Sequence, residues 1–451
     1  MTSKIVEKNL LRLTSKNSFF LLIDYSLSRI LTFILFITIS RFFSVELFGF
    51  YTYLTSLIFL FSPLINLGMN SVLQQELSLG NDDKNIIINT VILLKTLAFI
   101  SLYICIFFLI LFFGYKNKDY NIFFLIAFSS LLFVGPITVI PTWQNYNLKI
   151  KDKAVVNMTG LIIEKLLQFT GIILFHSYIF IFISMIFGSL IKAFYSIYFF
   201  TIKSDGIISL NCFNFDYSKK ILKKGLPLLL TAFLIYVYSR IDQIMIAHML
   251  GYKSTGLYAS SAILFQSFFT FSGILTASLY PILLREKKQD NKKNYQIFLQ
   301  SYFDIYSFFG MLIFIFLFFS SSLILSLFGP VYLSSLAILK LFSISLFLIF
   351  CLDGLNKVLI THSLYRILLY INLLSVIFNI VLNFFLIKSY GIFGAAIGTS
   401  LSMIFSILLF PLFFKKSSFC VPYIFNSYFF IFRMTKTIKF IKNYKIINLS
   451  K

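Results

Sequence analysis

The chain has 451 residues, 59% hydrophobic and 12% charged, with a mean hydropathy of +0.90. That excludes an ordinary soluble domain, in which about a quarter of residues are charged. A net charge of +23 in a soluble protein would point to nucleic acid, but here it is sorted by side of a membrane, so no nucleic-acid partner is expected.

About twelve apolar runs of roughly 18 to 28 residues follow one another with short breaks. Lipid offers the backbone no hydrogen bonds, so runs of this length are helices, and the short alternating segments of a barrel are not seen. The predicted helices lie near 19–40, 47–68, 86–113, 120–142, 154–175, 178–201, 226–250, 258–283, 301–327, 335–356, 366–387 and 392–414. With the amino terminus inside, roughly 28 of the 39 Lys and Arg fall on cytoplasmic segments and about 5 outside, a positive-inside bias that places both termini in the cytoplasm. Glu76, Asp82 and Asp83 on an inside segment and Lys116 and Lys118 on an outside turn run against it.

Residues 1–18 are polar and basic, with Lys4, Lys8, Arg12 and Lys16, and the run after them is too long for a cleavable signal core. The first helix carries Asp24 and Arg29, about 140° apart around the axis and so no local pair. Pro63 interrupts the second run and Gly135-Pro136 closes the fourth. Lys95, Glu164, Lys165 and Lys192 lie inside the third, fifth and sixth runs. A connection over 202–225, ending in Lys219, Lys220, Lys223 and Lys224, divides an N-terminal lobe (19–201) from a C-terminal lobe (226–414).

The second lobe opens with KKGLPLLLTAFLIYVYSRIDQIMIAHMLGYKSTGLY, Lys223 to Tyr258. Arg240 and Asp242 sit inside it beyond snorkelling reach, at a cost of roughly 2.5–3.5 kcal/mol each, which marks residues that face a bundle interior or a water-filled cavity. They point about 200° apart and cannot simply neutralise each other along one face. Ser28-Arg29-Ile30 is echoed by Ser239-Arg240-Ile241, and Gly49-Phe50-Tyr51 by Gly256-Leu257-Tyr258, which predicts parallel repeats about an axis along the membrane normal with a central cavity. Asp304 and Asp353 fall near predicted cytoplasmic ends, where solvated positions are expected, and Lys340 lies inside the tenth run. Gly391 to Gly398 permit close backbone approach. Residues 415–451 are read as an interfacial segment and a basic tail with Arg433, Lys436, Lys439, Lys442 and Lys445, suited to anionic lipid.

Cys105, Cys212, Cys351 and Cys420 have no paired spacing and read as packing residues; His176, His248 and His362 are isolated near helix ends. No metal site or cofactor is expected, and without a GxxxxGK[ST] loop the chain does not hydrolyse ATP. The short outside loops hold no acidic pair for a general base, so an enzyme is not expected.

FFSVELFGFYTY, SPLINLGMNSVL, the Arg240-Ile241-Asp242 stretch with Gly256 and Tyr258, Pro281 and YGIFGAAIGTSLS together resemble the polysaccharide repeat-unit (Wzx-type) flippases, over about residues 15–415. These belong to the superfamily that also holds multidrug and lipid II exporters. The resemblance implies an all-α bundle of 12 to 14 helices in two six-helix lobes. It implies alternating access and export of an undecaprenyl-diphosphate oligosaccharide across a bacterial inner membrane, for O-antigen or capsule. Polymerase and chain-length proteins of the same pathway are the partners it suggests. Cationic side chains lining the cavity map onto Arg29, Lys95, Lys192, Arg240 and Lys340. Relatives often carry Arg before the Glu that ends the second-helix motif, where this chain has Gln75 before Glu76.

The chemistry agrees in sign. A lipid-linked diphosphate needs opposed charge at bilayer depth, and the planar fork of Arg ranks Arg29 and Arg240 above the lysines. The bland alternative is that these cations pair with Asp24, Asp242 or Glu164 and only hold the bundle together. Glu164 and Asp242, with Asp24, are the candidates for a coupling proton or sodium ion. A lipid II flippase and a multidrug cation antiporter of the same fold are the competing functions.

Overall fold

The computed structural model describes residues 2–79, 84–113, 118–147, 149–202, 207–209, 213–288 and 292–433; Asp82, Asp83, Lys116, Cys212 and the tail lysines lie outside them. The helices are α1 (Thr2–Phe42), α2 (Val45–Asn66), α3 (Met69–Leu79), α4 (Lys84–Phe113), α5 (Lys118–Val134), α6 (Val139–Tyr146) and α7 (Ile150–Ile173). They continue as α8 (Ile179–Thr201), α9 (Phe215–Lys288), α10 (Lys292–Ser326), α11 (Leu336–Ile349), α12 (Leu352–Thr361), α13 (Tyr365–Leu408) and α14 (Cys420–Ser427). No strand occurs among the described residues. This is an all-α multi-pass membrane protein.

Among the described residues ten helical stretches are long and apolar enough to span a bilayer. Two of them, of 74 and 49 residues, each hold two of the expected runs. They break at Gly251 (φ 82) and Gly391 (φ 60), positive angles that only a residue without Cβ adopts cheaply. The ten stretches therefore carry the twelve expected runs. Where the sequence predicts single helices over 120–142 and 335–356, the chain is jointed: Gly135-Pro136 opens a 3₁₀ turn between α5 and α6, and Phe350-Cys351 separates α11 from α12.

Contacts divide the chain into a first unit, Met1–Ser44 with Leu54–Tyr236, and a second, Val45–Tyr53 with Val237–Lys451. The long helix α9 passes from one to the other between Tyr236 and Val237.

In the first unit α7 packs on α8 and α1, and α8 on α5. A core of Met69, Leu73, Ile88, Val139, Trp143 and Phe200 fills the space between α3, α4, α6 and α8. Part of the connection before α9 is strapped to α4: Asn85 Oδ1 accepts from the Ile207 N–H (3.1 Å), and Asn89 donates to the Ile207 carbonyl (2.7 Å) and accepts from the Ser209 N–H (3.0 Å). Beside it Glu76 of α3, only 3% exposed, receives Lys220 Nζ at 3.1 Å and Lys224 Nζ at 2.5 Å from the start of α9. Both lysines remain nearly half exposed, so solvent screens the pairs. Glu76→Gln is expected to cost ~1 kcal/mol and lower the melting temperature by a few degrees, about twice what surface noise would give. Lys219→Gln, whose ammonium lies over the Phe215 ring instead, should leave the melt unchanged. Equal melts for all three proteins would remove Glu76 as a tie between α3 and α9.

In the second unit the core is aromatic, built on Tyr258, Tyr302, Phe303, Tyr306, Phe342 and Phe350. The segment beyond α13, expected at the interface, packs into it: Cys420, Ile424 and Ser427 of α14 are fully buried, and the Ser427 hydroxyl meets that of Ser307 on α10 at 2.7 Å. Cys351 and Cys420 are packing residues of this core. The solvated position expected for Asp304 is corrected. It is buried, and Arg433 from the same C-terminal segment places Nη2 3.0 Å from Oδ1. A carboxylate inside the unit is tolerated because the chain folds back to bring a guanidinium to it.

Candidate functional site

The charged side chains singled out in the sequence fall into four groups within the two units. On α1, Asp24 accepts a hydrogen bond from Asn157 of α7 (3.1 Å). Arg29, five residues on, is not its partner; it is exposed and meets no ion-pair or hydrogen-bond partner among the described residues.

At the α7–α8 interface Glu164 gathers two lysines, Lys165 at 3.1 Å and Lys192 at 3.5 Å. Helix packing makes this meeting possible. A Cβ at Gly188 would collide with the Glu164 side chain, and one at Gly160 with Lys192, so each helix yields space to the other's charged residue. Gln168 completes the group, accepting from Lys165 (2.8 Å) and donating to the Ile181 carbonyl (3.1 Å). A candidate for substrate binding and a candidate for ion coupling thus share one network.

Lys95 of α4 is fully enclosed, with 0% exposure, and no carboxylate among the described residues is its partner. Its ammonium donates to Asn70 Oδ1 (2.6 Å), Thr138 Oγ1 (2.9 Å) and Asn66 Oδ1 (3.2 Å). Three neutral oxygens match the three donors of a lysine. Asn66, Asn70 and Thr138 were not foreseen. Their one sequence signal is indirect: a lysine at bilayer depth with no acid at helical reach requires neutral acceptors from other helices.

In the second unit Asp242 of α9 is 6% exposed. Its carboxylate accepts from the Tyr258 hydroxyl and from the Gln243 N–H (2.8 Å). Arg240, half-buried, is close enough for its charge to act on Asp242. The Tyr258 hydroxyl also reaches Thr399 of α13, where Asn379 donates to Ser402 (3.0 Å) and Asn383 donates to Asn379 (3.2 Å). Close packing allows this polar ladder, since a Cβ at Gly398 would run into Asn383 and one at Gly394 into the Leu386 carbonyl. Lys340 of α11 is half-buried with its Nζ 5.2 Å from the centroid of the Phe318 ring, a cation–π contact. Among the described residues no three His, Cys, Asp or Glu come together as metal ligands would.

The deep acids are therefore engaged within their own units, Glu164 by two lysines and Asp242 by a tyrosine and a backbone amide. Arg29 and Lys340 have no ionic partner among the described residues.

Residues 14–287 match the family of polysaccharide biosynthesis proteins. No curated protein matches the sequence. Among solved structures, a lipid II flippase, MurJ, in an inward closed conformation superimposes with a TM-score of 0.73 at 18% identity, over 92% of this chain and 92% of that one. An inward-facing multidrug resistance transporter of the MATE family, in the MOP superfamily, gives 0.68 at 12% identity, over 91% and 96%. A Vibrio cholerae MATE transporter gives 0.61 at 15% identity, over 90% and 95%. At these identities the likeness is one of fold.

Proposed function

The chain belongs to the family of polysaccharide biosynthesis proteins, and from that premise we propose that it carries an undecaprenyl-diphosphate-linked oligosaccharide repeat unit from the inner to the outer leaflet of a bacterial inner membrane by alternating access. Both termini are cytoplasmic in this reading. The fold is one this chain shares with a lipid II flippase and with multidrug transporters, which supports a transport role. The observation that supports an anionic substrate is the pair of cations at bilayer depth, Arg29 and Lys340, that have no ionic partner among the described residues. Glu164 is opposed by two lysines, and Asp24 and Asp242 are held by hydrogen bonds within their own units, while Arg29 and Lys340 keep cationic charge with no ion pair among the described residues. A diphosphate carrying about two negative charges supplies that opposition. A cationic drug needs the reverse arrangement, an acid left open.

In this reading Arg29, Arg240, Lys192 and Lys340 meet the headgroup in turn, and Lys95 holds α4 to the α2–α3 joint and to Thr138. Moving two negative charges outward across an inside-negative membrane gains roughly 2.3 kcal/mol per charge per 100 mV. Entry of a proton or sodium ion at Asp242, Glu164 or Asp24 would add to it. Glu164→Gln is expected to flatten the dependence of flipping on an imposed proton gradient while the protein still inserts. A gradient dependence like that of the wild type rejects Glu164 as the coupling group.

The deciding experiment is reconstitution of the full chain into vesicles supplied in turn with undecaprenyl-diphosphate oligosaccharide, lipid II and a cationic dye. Flipping of the oligosaccharide carrier alone is expected. Movement of lipid II at an equal rate would assign the chain to the peptidoglycan precursor, and movement of the dye alone would overturn the anionic reading.

A further inference from the structure

A cavity of about 710 Å³ opens in the second unit, where the end of α9, the start of α10, the turn between α12 and α13 and the segment leading into α14 converge. Its size falls within the roughly 300–1,000 Å³ typical of small-ligand sites. None of the charged residues discussed above lines it. Among the described residues three lysines do, Lys287 from the end of α9 and Lys415 and Lys416 from the segment before α14, with one carboxylate, Glu286. The walls between them are aromatic and ordered. The Tyr295 hydroxyl and His362 Nε2 are 2.9 Å apart, the Phe419 ring lies 4.9 Å from the His362 ring, and Lys287 Nζ sits 5.3 Å from the centroid of Tyr295. Burial, and then the Lys287 charge, hold the His362 imidazole below the ordinary histidine range. That direction is the one expected where positive charge is already crowded.

Three cations around an aromatic floor select an anion with several acceptor oxygens, and the exposed neighbours of the lining residues in the sequence bear on where it comes from. Large apolar side chains next to the lining residues are exposed: Leu412 and Phe413 before Lys415, Leu284 before Glu286, Ile297 after Gln296 and Tyr365 after Leu364. Lysines alternating along the chain with exposed apolar and aromatic side chains form the pattern of a membrane interface. The sequence places these helix ends on the side of the membrane where its Lys and Arg are concentrated. A soluble phosphate has no use for exposed apolar side chains flanking its lysines. We infer that this cavity binds the phosphate headgroup of an anionic membrane lipid from the cytoplasmic leaflet, with Lys287, Lys415 and Lys416 as its phosphate contacts. The site belongs to the second unit and does not depend on the identity of the transported molecule.

The test is native mass spectrometry of the purified full chain offered phosphatidylglycerol, phosphatidylcholine or inorganic phosphate. Phosphatidylglycerol should be retained and phosphatidylcholine not. The double variant Lys415→Gln/Lys416→Gln should retain at least fivefold less phosphatidylglycerol, and Lys388→Gln, which removes a lysine stacked on Phe384 elsewhere on the unit, should retain as much as the wild type. A photoreactive phenylalanine analogue at position 419 should crosslink to phosphatidylglycerol. Equal retention by the double variant overturns the site. Displacement of the lipid by an equal concentration of inorganic phosphate makes the cavity a soluble-anion site and overturns the lipid assignment. If the double variant does not fold, the crosslink in the otherwise native chain decides alone, and its absence overturns the inference.

Discussion

Arg240→Ala is expected to abolish export of the lipid-linked oligosaccharide while the protein still inserts and folds. Arg240 lies eleven residues before the break at Gly251, about 16 Å along the helix at 1.5 Å per residue, which is near the middle of a ~30 Å hydrocarbon layer. A diphosphate at that depth has exchanged water for whatever donors the protein offers. Each charge-assisted hydrogen bond from a guanidinium is worth about 1.5–3 kcal/mol, and a forked pair at the low end already amounts to ~3 kcal/mol, on the order of a hundredfold in rate. Arg240→Lys keeps the charge and loses the fork, so an intermediate rate is expected. The rival role is that of a strut for Asp242, whose carboxylate Arg240 stabilises through space. The two roles separate in a double-mutant cycle. Asp242 is already held by the Tyr258 hydroxyl and the Gln243 amide, so Asp242→Asn should not rescue Arg240→Ala. Recovery of export in Arg240→Ala/Asp242→Asn, measured as surface polysaccharide in a deletion strain, would take Arg240 off the substrate's path.

What could be read from the sequence and what could not divides along a physical line. Length and hydropathy are local properties, so each predicted run falls on a helical stretch, and the gaps between the runs of the two longest stretches fall at Gly251 and Gly391, where φ is positive. The jointing of α11 to α12 leaves no local mark, because Phe350-Cys351 is as apolar as a helix interior. Charge partners are not local. Glu164 and Lys192 are 28 residues apart and meet only because Gly160 and Gly188 let α7 and α8 close on each other. Asp24 and Arg29 are near in sequence and do not pair. Lys95 was visible as a buried cation, but its answer in three neutral oxygens had to come from elements that sequence alone does not juxtapose. The distribution of partners supports an anion.

Gly49→Val is expected to pull the start of α2 away from α9 and to stop transport. The echo of Gly49-Phe50-Tyr51 in Gly256-Leu257-Tyr258 marks more than a repeat, for within the second unit the two glycines meet. A Cβ at Gly49 would strike the Tyr252 carbonyl, and one at Gly256 would strike the Val45 carbonyl and lie 3.1 Å from the Gly49 nitrogen. Backbone touches backbone, with no flexible side chain to give way. Overpacking of this kind costs about 1–3 kcal/mol when side chains can shift, and more when they cannot. Around the crossing, Phe50 and Tyr53 lie 5.2 and 5.5 Å from Tyr252, Phe48 lies 5.6 Å from Tyr332, and the Tyr53 hydroxyl is 3.1 Å from His248 Nε2. Aromatic pairs of this geometry contribute about 0.5–1.5 kcal/mol each beyond their burial. Valine would therefore set a rigid clash against a cluster worth several kcal/mol, and the segment must either separate or distort. Separation predicts a longer distance between nitroxides at Glu46 and Lys253 together with loss of export. Gly273→Val is the control, since nothing lies within 4 Å of a Cβ there, and it should change neither. An unchanged distance with normal export in Gly49→Val would show that the two backbones do not need to touch during the cycle.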